Sequence, residues 1–239
     1  VGRLEIDNTT ITQGGPGVIS LTSTAGASLV VRSAVINSGL LQSSVNAITI
    51  EGTSTFNNTA INGPMTVLNN SEMRLGGAGT THAGDLFVNS GSGQNNTFIR
   101  VMQNHAISGV GRIVLRAHPA NLDTAYLFYN GGGEALTQNA GHSIVGTGNI
   151  HVALNNAGIV SADQNGRTLQ LLAFSKSNAG LFMSQNGGIL QFSGTTVTQS
   201  GAGTIRADTG QVRLIGTTVN GGAIETINGG FCELSASTT

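Results

Sequence analysis

The chain has 239 residues, ten basic and eleven acidic side chains, and a formal net charge of −1. Charged residues are only 9%, aromatics 4%, tryptophan is absent and glycine numbers 36. With no run of Lys or Arg, a nucleic-acid or anionic-membrane surface has no electrostatic basis, and 38% hydrophobic residues exclude a disordered chain.

The N-terminal segment Arg3-Leu4-Glu5-Ile6 alternates polar and apolar residues, which predicts a strand with one buried face. It has the character of a mature chain or an excerpt of a longer one. Similar short alternations recur to residue 84, and they are assigned to three columns by reference to a clearer repeat downstream. Leu4/Ile6, Leu29/Val31 and Ile48/Ile50 are assigned to its second column. Ile11, Val35 and Ile61 are assigned to the third, and Gly17-Val18-Ile19 and Gly39-Leu40-Leu41 to the first.

Residues 85–141 are less regular. They hold Phe87, Phe98, Phe128, His105 and His118 together with both tyrosines, Tyr126 and Tyr129. The fragments ISGVGRIVL (107–115) and IVGTGNIHV (144–152) rhyme at a spacing of 37 residues. This predicts one coil carrying a long inserted loop at roughly 118–137. Loops projecting from a solenoid commonly carry binding residues, so Tyr126 and Tyr129 are expected on a ligand-contact loop.

From residue 142 the repeat is explicit. Units begin at Ala157, Ala179, Ala202 and Gly222, at offsets of 22, 23 and 20 residues. The first column holds Val160, Phe182, Ile205 and Ile224. The second holds Leu169/Leu171, Leu190/Phe192, Val212/Leu214 and Cys232/Leu234, alternating with Gln170, Gln191, Arg213 and Glu233. The third holds Val197 and Val219, each after Thr-Thr. Three short strands in 20–23 residues predict one coil of a right-handed parallel β-solenoid, so the whole chain is expected to form a single all-β domain. Its regular coils are placed at 1–84 and 142–239, with irregular coils at 85–141.

The turns carry a polar column of their own, Asp163, Gln185, Asp208 and Asn228, each followed closely by glycine. Stacked polar side chains of this kind are expected to hydrogen-bond along the rod. Asp163 and Asp208 share the column two coils apart, about 9–10 Å, at the upper edge of the range for paired glycosidase carboxylates. With Gln185 between them and no basic residue in the column, the turn reading is preferred to catalysis. All five histidines lie between His82 and His151, without zinc spacing, and are expected at surface polar positions. Replacing the sole lysine, Lys176, with Ala is expected to change little. The single cysteine, Cys232, has no internal disulfide partner. No residue set points to a cofactor or a metal.

The run from Leu136 to Gly230 resembles repeats of very large bacterial surface and secreted proteins, of the filamentous-haemagglutinin and autotransporter-passenger type. TQNAGHSIVGTGNI, NAGIVSADQNGRTLQL and GGILQFSGTTVTQSG carry the likeness. The resemblance implies an extracellular or cell-surface protein with a structural or adhesive role, not an enzyme. The alternative expectation is a carbohydrate-binding or polysaccharide-degrading β-helix. Surface glycans are expected partners in either case, and insertion into a membrane is not expected. Joining LSASTT to residues 1–2 restores a TTV motif, so end-to-end association, in a tandem array or a fibre, is also expected.

Overall fold

The computed structural model describes residues 2–15, 17–22, 26–44, 47–89 and 93–236. They form a parallel β-solenoid of about 10 turns, about 22 residues each, with no helix. Two faces, eleven strands each, belong to one 21-stranded sheet, because the nine-residue strand Ser143–His151 runs through both. The third face has ten strands. Every pairing between named strands is parallel and links one coil to the next, so side chains stack in rows along the rod.

The C-terminal columns stack as the repeat requires. On the first face Val160 opposes Phe182, then Ile205, then Ile224. On the second, Leu169 opposes Leu190, Val212 and Cys232, while Leu171 opposes Phe192, Leu214 and Leu234. On the third, Val197 opposes Val219. Most of these side chains are completely enclosed. Each fully buried Leu, Val, Ile or Phe contributes about 1.5–3 kcal/mol of burial, and their sum drives a chain this poor in aromatics to fold.

Of the N-terminal columns, two stack as grouped but on other faces than expected, the third is split between faces, and only Ile61 keeps its expected face. Leu4, Leu29 and Ile48 form one row. That row continues through Met65, Leu86, Ile113 and Ile144 into Val160, which places it on the first face. Ile11 pairs with Ile36, not Val35, on the second face. Ile19 and Leu41 lie on the third, where Leu41 opposes Ile61. The physical reason is that all three faces bury the same apolar alternation. The pattern identifies a strand; the corners between strands decide its face.

The middle coils keep the same three strands, so the boundary at 85–141 marks longer connections and not a break in the solenoid. Ile113 opposes Ile144, 31 residues on, and the rhyme at 37 residues joined strands of different faces. The inserted loop at 118–137 is corrected accordingly. The extra residues are split between an excursion at 117–124 and a tight loop at 130–134, with strand Ala125–Tyr129 between them. The excursion is held by Thr124, whose Oγ1 accepts from His118 N at 2.6 Å and donates to Asn121 O at 3.0 Å. In the tight loop the Glu134 carboxylate accepts from the amides of Asn130, Gly131 and Gly132 at 3.0–3.2 Å.

Two interior features were not expected. Lys176 is 1% exposed and takes an inward position on the third face, between Leu154 and Val197. Its Nζ donates to the carbonyls of Val152 and Phe174 at 2.8 Å and of Leu172 at 3.0 Å, using all three N–H bonds of the ammonium. Burial pushes the amine down to about 7, while the carbonyls oppose the shift by favouring the charged form. This enclosure argues against the expectation that replacing Lys176 would change little.

The second feature is an amide ladder inside the third face. Gln138, Asn156, Asn178 and Gln199 oppose one another in successive coils. Asn156 Nδ2 donates to Asn178 Oδ1 at 2.8 Å, and Asn178 Nδ2 to Gln199 Oε1 at 3.1 Å. Asn178 also donates to Thr204 O, and Gln199 to the carbonyls of Gly221 and Ala223, all at 3.1 Å. These bonds satisfy backbone acceptors at the corner, where the sheet ladder cannot.

Candidate functional site

The richest side-chain cluster on the outside of the rod lies on the second face of the middle coils. Parallel register sets it: Glu72 opposes Phe98, which opposes Tyr126, while Arg74 opposes Arg100, which opposes Phe128, which opposes His151. Tyr129 and Phe174 flank this row at the corner, their ring centroids 4.6 Å apart. Five of the ten Phe and Tyr residues thus gather in one place.

Charged groups bind the cluster together. Glu72 accepts from Arg100 Nε at 3.0 Å and Nη2 at 3.1 Å, and also from Arg74. Burial works against ionisation of Glu72, but hydrogen bonds from Arg100 and Arg74 outweigh it and hold the carboxyl below its usual range. Arg100 also donates to Tyr129 O at 3.0 Å and lies over the rings of Phe98 and Phe128, 5.3 and 5.2 Å from their centroids. Burial, with Asp123 alongside, pushes the Tyr126 phenol up to about 12.

The rings spend their faces on one another. Phe98 and Tyr126 stack at 5.0 Å, Phe128 and Tyr129 at 4.7 Å, and Phe128 meets His151 edge to face at 5.1 Å. Such pairs contribute about 0.5–1.5 kcal/mol each beyond area burial. They support the coils that carry the 117–124 excursion, whose Leu122 and Asp123 accept hydrogen bonds from the enclosed Asn149. What the cluster offers outward is ring edges, one phenol and guanidinium edges. Tyr126 and Tyr129, expected on a ligand-contact loop, are on a strand. The sequence signal for this was the alternation in Ala-Tyr-Leu-Phe-Tyr, with Ala125 and Leu127 inward.

The polar turn column is formed only in part. The pairing of Ala162 with Ser184 and of Ser184 with Ala207 sets Asp163, Gln185 and Asp208 at successive turns. Ile227, not Asn228, opposes Asp208, although Asn228 Nδ2 still donates to Asp208 Oδ1 at 2.8 Å. Burial pushes the Asp163 carboxyl up, and its Oδ1 has no hydrogen-bond partner among the described residues. The two aspartates therefore sit in unlike surroundings, Asp163 half-buried with one oxygen unpartnered among the described residues and Asp208 bonded to Asn228 of the next coil. The amide ladder expected here runs inside the third face instead, because enclosed amides must find partners and exposed ones need not.

The histidines are corrected as well. His82, His105 and His142 are enclosed, not at the surface. His82 opposes Ile61 and His105 opposes Leu136, both in inward rows. His105 bonds Gly77 O at 3.0 Å and Thr80 Oγ1 at 3.1 Å. His82 Nδ1 lies 3.0 Å from His142 Nε2. Among the described residues no three or more His, Cys, Asp or Glu side chains are grouped to hold a metal ion, and no helix is long and apolar enough to cross a membrane.

No protein-family model matches the chain, and comparison with curated proteins and with solved structures gave no match.

Proposed function

We propose that the chain is a rod segment of an extracellular or cell-surface repeat protein, structural or adhesive in role and without catalysis. One observation carries this reading: three ladders of parallel strands run in register through about 10 turns. A rod built this way lengthens by about 4.8 Å per coil, and each coil needs only its neighbours for stability. The resemblance of the segment Leu136–Gly230 to bacterial surface repeats supports the location. Electron microscopy and light scattering of the chain at rising concentration test the proposal. Rods about 50 Å long that extend along their axis support it, and short monomers with no end-to-end contact at any concentration count against association.

A second reading, favoured by the cluster around Tyr126 and Arg100, is that the second face contacts glycans. The turned-in ring faces leave hydrogen bonding from Arg74, Arg100 and Tyr126 as its main resource. Glycan-array binding lost in Arg74→Ala and unaffected by Asp163→Asn would favour it. Cleavage of a polysaccharide by the wild-type chain, lost on changing Asp163 and Asp208 to Asn, would overturn the non-catalytic reading.

A further inference from the structure

The corner between the third and first faces in the middle coils holds a pair of histidines with an unusual enclosure. His82 ends the inward row of strand Gly79–Ala83, and His142 immediately precedes strand Ser143–His151. They come from coils two turns apart, with the coil between represented only by residues 109–111. That segment is almost bare backbone. A Cβ on Gly111 would lie 2.5 Å from His82 Nδ1, and one on Gly109, where φ is +96°, would lie 2.2 Å from the His82 carbonyl oxygen. Val110 between them points outward and is 78% exposed. The segment is tied down by Gly111 N donating to His82 O at 3.0 Å.

The hydrogen-bond count of the pair fixes its protonation. One proton is shared across the 3.0 Å contact between His82 Nδ1 and His142 Nε2. The outer nitrogens, His82 Nε2 and His142 Nδ1, are enclosed without partners among the described residues. Whichever ring donates the shared proton, the other, accepting at its contact nitrogen, must carry its only N–H on its outer nitrogen. The neutral pair thus already holds one unsatisfied N–H. A further proton would create a second, together with an enclosed positive charge.

The charged groups around the corner offer no relief. Asp85 is the carboxylate that acts on His82, and it is committed to Arg112 through two bonds at 2.8 and 2.7 Å. Arg116 also faces Asp85, and Arg112 is shared with Asp163. Gln138 gives its Nε2 to His142 O at 2.7 Å, which binds the backbone and not the ring. Burial pushes His82 down to about 4 against a smaller pull from Asp85, and pushes His142 down to about 3 with His82 adding to the effect.

We propose that His82 and His142 form an acid-sensitive latch: while both are neutral the Gly109–Gly111 segment closes over them, and protonation favours the open corner. The closed form accepts protons poorly, whereas opened imidazoles take them up from an ordinary value of 6.5. Between there and the closed-state values, each pH unit raises the open-to-closed ratio by up to about tenfold per histidine, about a hundredfold for the pair. The rod would thereby gain a joint in its middle coils that loosens in acid while the flanking coils hold.

Amide hydrogen exchange between pH 6.5 and 4.5 tests the latch, read as protection factors corrected for intrinsic exchange. The reporters are the amides of Gly111 and of Arg112, which donates to Gly84 O at 2.8 Å. The references are Ile189 and Gln211, which donate to Arg167 O and Gly188 O at 2.8 and 2.9 Å. From pH 6 to 5, reporter protection is expected to fall by one to two orders of magnitude relative to the references. In the double variant His82→Asn/His142→Gln, which keeps an amide at each contact position and cannot titrate, the relative protection is expected to be flat with pH. A wild-type ratio constant over the whole range overturns the proposal, as does a double variant with unchanged pH dependence. If the double variant does not fold, imidazole nitrogen shifts of the wild type serve. Neutral rings at pH 5 in the closed population support the latch, and two imidazolium rings at pH 6 with protection intact overturn it.

Discussion

Replacing Lys176 with Met keeps an unbranched side chain of similar length and removes the ammonium. Three carbonyls, the buried Val152 O and the part-buried Leu172 O and Phe174 O, then lose their shared donor. Phe174 O keeps a bond from Thr195 Oγ1 at 2.7 Å, so the other two bear most of the cost. An unsatisfied buried acceptor costs about 1–3 kcal/mol, which puts the gross loss at roughly 2–6 kcal/mol for the two carbonyls left without this donor. Methionine needs no ion to be desolvated, and that returns several kcal/mol. The net expectation is destabilisation by about 1–3 kcal/mol, or a fall in Tm of roughly 2–12 °C for a chain of this size. Urea midpoints and thermal melts by circular dichroism at pH 7 read it directly. A variant melting within about 2 °C of wild type, or above it, would refute the claim that the lysine serves the corner carbonyls.

Leu190→Asp places an unpaired charge in a fully enclosed row at a cost of several kcal/mol; the chain is expected to lose its β-sheet circular dichroism, and a soluble variant with wild-type Tm would contradict the register. Asn178→Leu removes the middle of the amide ladder, orphaning Gln199 Oε1 and Thr204 O, and should cost about 2–4 kcal/mol in urea denaturation; no change would mean the ladder adds nothing. Global stability should fall as pH drops below 6.5, because unfolded His82 and His142 bind protons that the folded rings, held near 4 and 3, refuse. The slope should be at most about 1.4 kcal/mol per pH unit for each ring, and equal urea midpoints at pH 7 and pH 5 would contradict it.

The C-terminal register was legible because its coils keep nearly one length, so Leu169, Leu190 and Val212 fall into line by counting. The N-terminal rows were legible as strands but not as faces, since the three faces share one alternation and the coil lengths vary. Lys176 was hidden for a different reason. A lysine enters an interior only where the corner turns carbonyls inward, and that geometry is a property of the backbone, not of any residue pattern. His82 and His105 could have been found: each stands two residues from another inward side chain, Thr80 and Ile107. His142 could not, because its partner lies 60 residues away across a coil that had to present glycine between them. The aromatic cluster was seen as a concentration of rings, but the fixed extra length of its coil was placed in one loop instead of two short ones, which moved the tyrosines off their strand.

The register of the solenoid is tested most directly by a spin-label distance along one outer row of the second face. Thr53, Glu72, Phe98, Tyr126, Asn149, Gln170 and Gln191 oppose one another in turn. Labels at Thr53 and Gln191 are therefore six coils apart, about 29 Å at the inter-strand spacing. A single narrow distribution centred within a few ångström of that value is the predicted result. A broad distribution, or a centre displaced by two coils or more, about 10 Å, would contradict the stacked register on which the account depends.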